Sequence, residues 1–71
     1  MTRKTLAVPD ISCEHCERTI TGALAPLDGI ASVKVDIPGH WVAVEFDEAR
    51  IGLDQIIDVL RGEEYPVAGV S

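Results

Sequence analysis

Residues 30–46 read IASVKVDIPGHWVAVEF. Val33, Val35 and Ile37 alternate with Ser32, Lys34 and Asp36, and Val42, Val44 and Phe46 alternate with Trp41, Ala43 and Glu45. A period of two marks a strand with one buried face. Between the two runs stands Pro38-Gly39, a tight-turn pair. The stretch therefore predicts a β-hairpin whose two strands share one aliphatic face.

The segments on either side extend this hairpin into a fold. Upstream, Cys16, Ile20, Ala23, Leu24 and Leu27 share a face at spacings of three and four. They predict an amphipathic helix that starts at Cys13 or Glu14 and closes at Pro26 and Asp28-Gly29. Ser12 is a candidate N-cap, with Asp10 competing for the role. Before it, residues 4–8 form a short β-compatible run that Pro9 ends. Downstream, residues 47–52 connect to a second amphipathic helix carrying Leu53, Ile56, Ile57 and Leu60, stopped by Gly62. Residues 65–70 are expected to form a last strand. The order β-α-β-β-α-β predicts an α+β, ferredoxin-like sandwich: one four-stranded antiparallel sheet with both helices on one face. Residues 1–71 read as a single domain, and the Met1 start as that of a stand-alone protein.

The composition fits this size. Seventy-one residues leave room for one thin core. At 46% hydrophobic and 25% charged, the chain is globular rather than disordered. Twelve acidic against six basic residues give a net charge of -6, which argues against nucleic acid and against an anionic membrane surface. It fits steering toward a basic protein partner. The first ten residues hold too few apolar positions for a signal peptide, and no run approaches a membrane span of about 20 residues. The expectation is a cytoplasmic protein with reduced thiols.

In a β-α-β-β-α-β chain, three loops share one end of the sheet: the loop before the first helix, the turn at Pro38-Gly39-His40, and the segment Gly62-Glu63-Glu64-Tyr65. The first of them reads DISCEHC at residues 10–16 and holds both cysteines, Cys13 and Cys16. A disulfide between them would close a tiny loop and restrict the unfolded chain little. At a helix N-terminus, unpaired N–H groups and the helix dipole favour thiolates, the form that binds metal. Two thiolates with no fixed third ligand make a soft, low-coordination site that suits Cu(I). Structural zinc takes four ligands, and the sequence offers no second Cys-x-x-Cys and no spaced histidine pair. Zn(II) or another soft divalent ion remains open as a passenger. A dithiol oxidoreductase is the alternative from a different class, but Glu14-His15 lacks the aromatic and proline context of a thioredoxin pair.

The stretches PDISCEHCERTITGAL, LDGIASVKVDI, VAVEF and LDQIIDVLRGEEYPV resemble, in that order, a heavy-metal-associated domain. This is the fold of small copper chaperones and of the amino-terminal modules of metal-transporting P-type ATPases. Cys13 and Cys16 match the two ligands of the family motif Gly-Met-x-Cys-x-x-Cys, and the Cys-x-His-Cys form with His15 is similar to that of bacterial copper chaperones. The chain departs from the motif with Asp10-Ile11 in place of Gly-Met. Ile11 is expected to fill the role of the inward-packed methionine. Tyr65 sits where bacterial relatives carry a tyrosine near the metal loop.

The resemblance implies a copper chaperone and not an enzyme. It would bind Cu(I) through Cys13 and Cys16 and deliver it by ligand exchange to a partner such as a copper-transporting P-type ATPase. The alternatives are an excised ATPase domain or a carrier of Zn(II), Cd(II) or Hg(II). His15, Tyr65, Ile11 and Ser12 are the candidates for supporting the ligands, and His40 stands at the same end but toward the sheet edge. Asp10, Glu14, Glu17, Glu63 and Glu64 are expected to form an acidic docking rim there, relieved by Arg18. The apo protein is expected to be a monomer, with a metal-bridged dimer as the alternative when loaded.

Overall fold

The computed structural model describes residues 1–12 and 14–70. Its elements are β1 (Thr2–Ala7), α1 (Glu14–Leu24), β2 (Ile30–Asp36), β3 (Trp41–Phe46), α2 (Leu53–Gly62) and β4 (Gly69–Val70). The strands form one antiparallel sheet in the order β2-β3-β1-β4. This is the ferredoxin-like sandwich that the sequence order predicts.

The alternating residues sort as their periodicity requires. Val42, Val44 and Phe46 of β3 and Leu6 of β1 are buried on one face of the sheet. Ile20 and Leu24 of α1 and Ile56 and Leu60 of α2 close over them, each helix contributing one stripe. On β2, at the edge of the sheet, Val33 and Val35 are only half-buried. A register shift between Ile30 and Ser32 marks a β-bulge there, so the strict alternation of β2 begins after it.

The turn from α1 into β2 depends on Gly29. Its φ is 100°, a left-handed conformation that side chains disfavour, and its carbonyl accepts a hydrogen bond from the Asp47 N–H at 2.8 Å. A Cβ at Gly29 would lie 2.8 Å from Ile51 Cγ2 and 2.9 Å from Arg50 Cβ. Gly29→Ala is expected to lose about 3 kcal/mol of stability, combining left-handed strain with overpacking against Ile51. Gly22→Ala is the control. A Cβ there meets nothing within 4 Å inside α1, and the change is expected to add about 0.5–1 kcal/mol. Urea denaturation of both variants reads the difference.

β1 is shifted from the expected run over residues 4–8, and α1 ends at Leu24, short of Leu27. Two boundaries near the C-terminus differ as well, and the end of α2 explains both. Gly62 is the last helical residue rather than the stop, and the left-handed position is taken by Glu64, at φ 69°. The Tyr65 N–H donates to the Leu60 C=O at 2.8 Å, tying residue 65 to the helix end. Pro66 has no N–H to give to a ladder. The expected strand over residues 65–70 is thereby reduced to Gly69–Val70, which pair with Ala7 and Leu6.

Candidate metal site

The loop between β1 and α1 is folded from its backbone inward. The Val8 N–H donates to the His40 C=O at 2.9 Å, and the Ile11 N–H turns back to the Val8 C=O at 3.2 Å. This reversal drives Ile11 into the core, where it is 0% exposed. Ile11 thus takes the inward position expected of it. Pro9, Asp10 and Ser12, on either side of it, stay on the surface.

Cys16 lies in the first turn of α1, on the same stripe as Ile20 and Leu24, and is 6% exposed. Its side chain is held by the helix below and the loop above. Ser12 Oγ lies 3.9 Å from Cys16 Sγ, and the Asp10 carbonyl oxygen lies 4.0 Å from it as an acceptor. The two neighbours suit different states of the sulfur. A carbonyl accepts only from a thiol, whereas a hydroxyl can donate to a thiolate. Glu14 and Glu17 share the first turn, where carboxylates interact favourably with the helix dipole. Cys13, the second expected ligand, lies outside the described residues.

The other candidates divide. His15 is exposed on α1, beside Cys16 in sequence but on the solvent side of the helix. Tyr65 is half-buried and packs against the core cluster that includes Ile11 and Cys16. His40 differs from its expected place toward the sheet edge. Because β3 is an inner strand beside β1, the His40 backbone bonds Val8 at the start of the cysteine loop, while its side chain remains exposed. Among the described residues, no three His, Cys, Asp or Glu side chains converge. The segment after α2 returns to the same end, where the Ala68 N–H donates to the Ala7 C=O at 2.7 Å. Asp10, Glu14, Glu63, Glu64 and Arg18 are exposed, and Glu17 is half-buried.

Two contacts of the site were invisible to residue-type reasoning: the Asp10 carbonyl beside Cys16 and the His40 carbonyl on Val8. Both are backbone groups, and no side-chain pattern reports them.

An inward aliphatic residue in the loop, a buried cysteine in the first turn of α1 and a βαββαβ scaffold define the class. The chain belongs to the heavy-metal-associated domain family, whose profile matches residues 5–66. It is similar to the copper chaperone CopZ of Staphylococcus haemolyticus, at 34% identity over 67 residues, covering 94% of this chain and 98% of that protein. The copper chaperone CopZ of Bacillus subtilis is also 34% identical, over 68 residues covering 96% and 99%. Among solved structures, a CopZ metallochaperone superposes with a TM-score of 0.90 at 28% identity, covering 94% of this chain and all of that one. No helix among the described residues is long and apolar enough to cross a membrane.

Proposed function

We propose that this protein is a copper chaperone that carries one Cu(I) ion between the thiolates of Cys13 and Cys16. The observation that carries the reading is the placement of Cys16. Its sulfur lies in the first turn of α1, in the same buried cluster as Ile11 and beside Ser12 and the Asp10 carbonyl of the preceding loop, in a chain with full-length CopZ relatives. The Cys-x-x-Cys spacing supplies the second thiolate from residue 13. Soft sulfur ligands and a low coordination number favour Cu(I) over Zn(II).

Delivery follows from the same chemistry. A thiolate of a partner Cys-x-x-Cys enters the coordination sphere, and one sulfur of this protein leaves and takes up the proton that the partner thiol released. No substrate bond is made or broken, so the protein acts as a carrier rather than an enzyme. The partner is a metal-transporting P-type ATPase or another Cys-x-x-Cys protein, in a compartment that keeps thiols reduced. The exposed acidic residues at this end would meet a basic patch on it, with association that weakens as salt rises.

The test is direct transfer. The protein is loaded with Cu(I) anaerobically and mixed with an apo Cys-x-x-Cys domain of such an ATPase, with a chromophoric Cu(I) chelator present as a trap. Copper is expected on the acceptor domain before any appears on the chelator. Copper that reaches the acceptor no faster than it reaches the chelator would contradict delivery by ligand exchange.

A further inference from the structure

β3 lies between β1 and β2, and an inner antiparallel strand directs its backbone groups alternately to its two neighbours. Two hydrogen bonds fix that alternation. The His40 C=O accepts from Val8, just beyond β1, so even-numbered residues of β3 face β1. The Asp47 N–H donates to Gly29, just before β2, so odd-numbered residues face β2. Trp41 and Ala43 therefore bond Asp36 and Lys34, their register partners. By the same alternation, Val33 and Val35 turn their N–H and C=O groups away from β3, toward the outer edge of the sheet. β2 is an edge strand in the order β2-β3-β1-β4, and such an edge is a template for another strand.

The side chains along this edge specify what fits it. Val33, Val35 and Ile37 lie on the helix side and remain half-buried, packed against the core but uncovered at its margin. Lys34 and Asp36 lie on the opposite, open face, and among the described residues neither forms an ion pair. A second copy of β2, running antiparallel with Val35 opposite Val35, satisfies both faces. Lys34 of each copy then stands opposite Asp36 of the other, in the closely spaced non-hydrogen-bonded pairs of the ladder. On the helix side, the two Val35 side chains meet at the axis, and Val33 of each copy lies toward the turn that begins at Ile37 of the other. A shift of two residues in either direction would set Lys34 against Lys34 or Asp36 against Asp36. The charges therefore select the register centred on Val35.

We propose that the β2 edge is a self-association surface, joining two copies about a two-fold axis into a continuous eight-stranded sheet. The contact is isologous and closes on itself, so it yields dimers rather than filaments. Antiparallel pairing points the two cysteine ends in opposite directions, leaving both exposed. This dimer needs no metal and is distinct from one bridged through the cysteines, and it departs from the apo monomer that the sequence alone leads one to expect.

The experiment is sedimentation over a wide range of concentrations, with reductant and a metal chelator present, at about 0.15 M salt, where the Debye length is about 8 Å. A monomer–dimer equilibrium is expected. Lys34→Asp or Asp36→Lys alone is expected to weaken it at least tenfold, because each sets like charges opposite one another. The double variant Lys34→Asp/Asp36→Lys is expected to recover to within about threefold of the native chain. A second measurement needs no substitution: hydrogen exchange of the native protein. The Val35 amide is expected to become protected as concentration rises, while the Lys34 and Asp36 amides, already bonded to β3, change little. A chain that stays monomeric at all concentrations overturns the proposal. So does a dimer without Val35 protection, or a double variant that remains as weak as the single ones.

Discussion

Cys16→Ser is expected to lower Cu(I) affinity by more than about 100-fold. Loss of a partner in the outer shell of a metal site costs about 10–100-fold, and this substitution removes a ligand itself. A serine hydroxyl is a hard, neutral donor at neutral pH and a poor replacement for a thiolate toward a soft ion. The fold is expected to survive. The side chain is nearly isosteric, and the Asp10 carbonyl oxygen beside Sγ offers an acceptor to the new hydroxyl. Competition against a chromophoric chelator reads the affinity, and far-UV circular dichroism of the same sample reads the fold. Retained affinity in a folded Cys16→Ser protein would remove Cys16 from the ligand set.

The second large effect is on stability. Phe46 is the chain's one phenylalanine and is 1% exposed, at the end of β3 in the buried core cluster. Phe46→Ala is expected to cost about 3–5 kcal/mol, from lost apolar transfer and from the cavity left behind. A chain of 71 residues has a total stability of about 4–11 kcal/mol at about 0.05–0.15 kcal/mol per residue. The variant is therefore expected to lose from about 30% of it to nearly all of it. Urea denaturation should show a lower midpoint with an unchanged slope. A midpoint within error of the native one would mean that Phe46 is not the centre of the core. The site should suffer with the core, because Phe46, Ile11 and Cys16 belong to one buried cluster.

The hairpin and the two helices were legible because each presents a clean period. Val42, Val44 and Phe46 alternate at two, and Ile20, Leu24, Ile56 and Leu60 recur at four, and all are buried as that periodicity requires. The inward position of Ile11 was legible through its resemblance to the family's methionine, because the demand there is for apolar volume. The end of the chain was not legible. Tyr65 and Val67 look like strand residues, but the Tyr65 amide is committed to Leu60 and Pro66 has none to commit. Propensity cannot report a hydrogen bond already made to a helix end. The left-handed turn was misplaced for a similar reason. Gly62 carries the expected residue type, yet the chain turns at Glu64, where the segment must drop from α2 toward β1. Around Cys16, the neighbouring Ser12 hydroxyl was legible from sequence proximity. The Asp10 carbonyl was not, since it is placed by the turn from Val8 to Ile11.

Asp10 and His15 flank the ligands in sequence. Asp10 contributes its backbone carbonyl next to Cys16, while both residues are exposed. Neither needs to touch the metal for the proposed function, which rests on two sulfurs. The measurement that tests this most directly is an anaerobic Cu(I) titration of the native protein against a chromophoric chelator, repeated on Cys13→Ser and Cys16→Ser. The account requires one Cu(I) per chain, held tightly enough to withdraw copper from the chelator, and loss of that capacity in both variants. Weak binding to the native chain that neither substitution changes would contradict it.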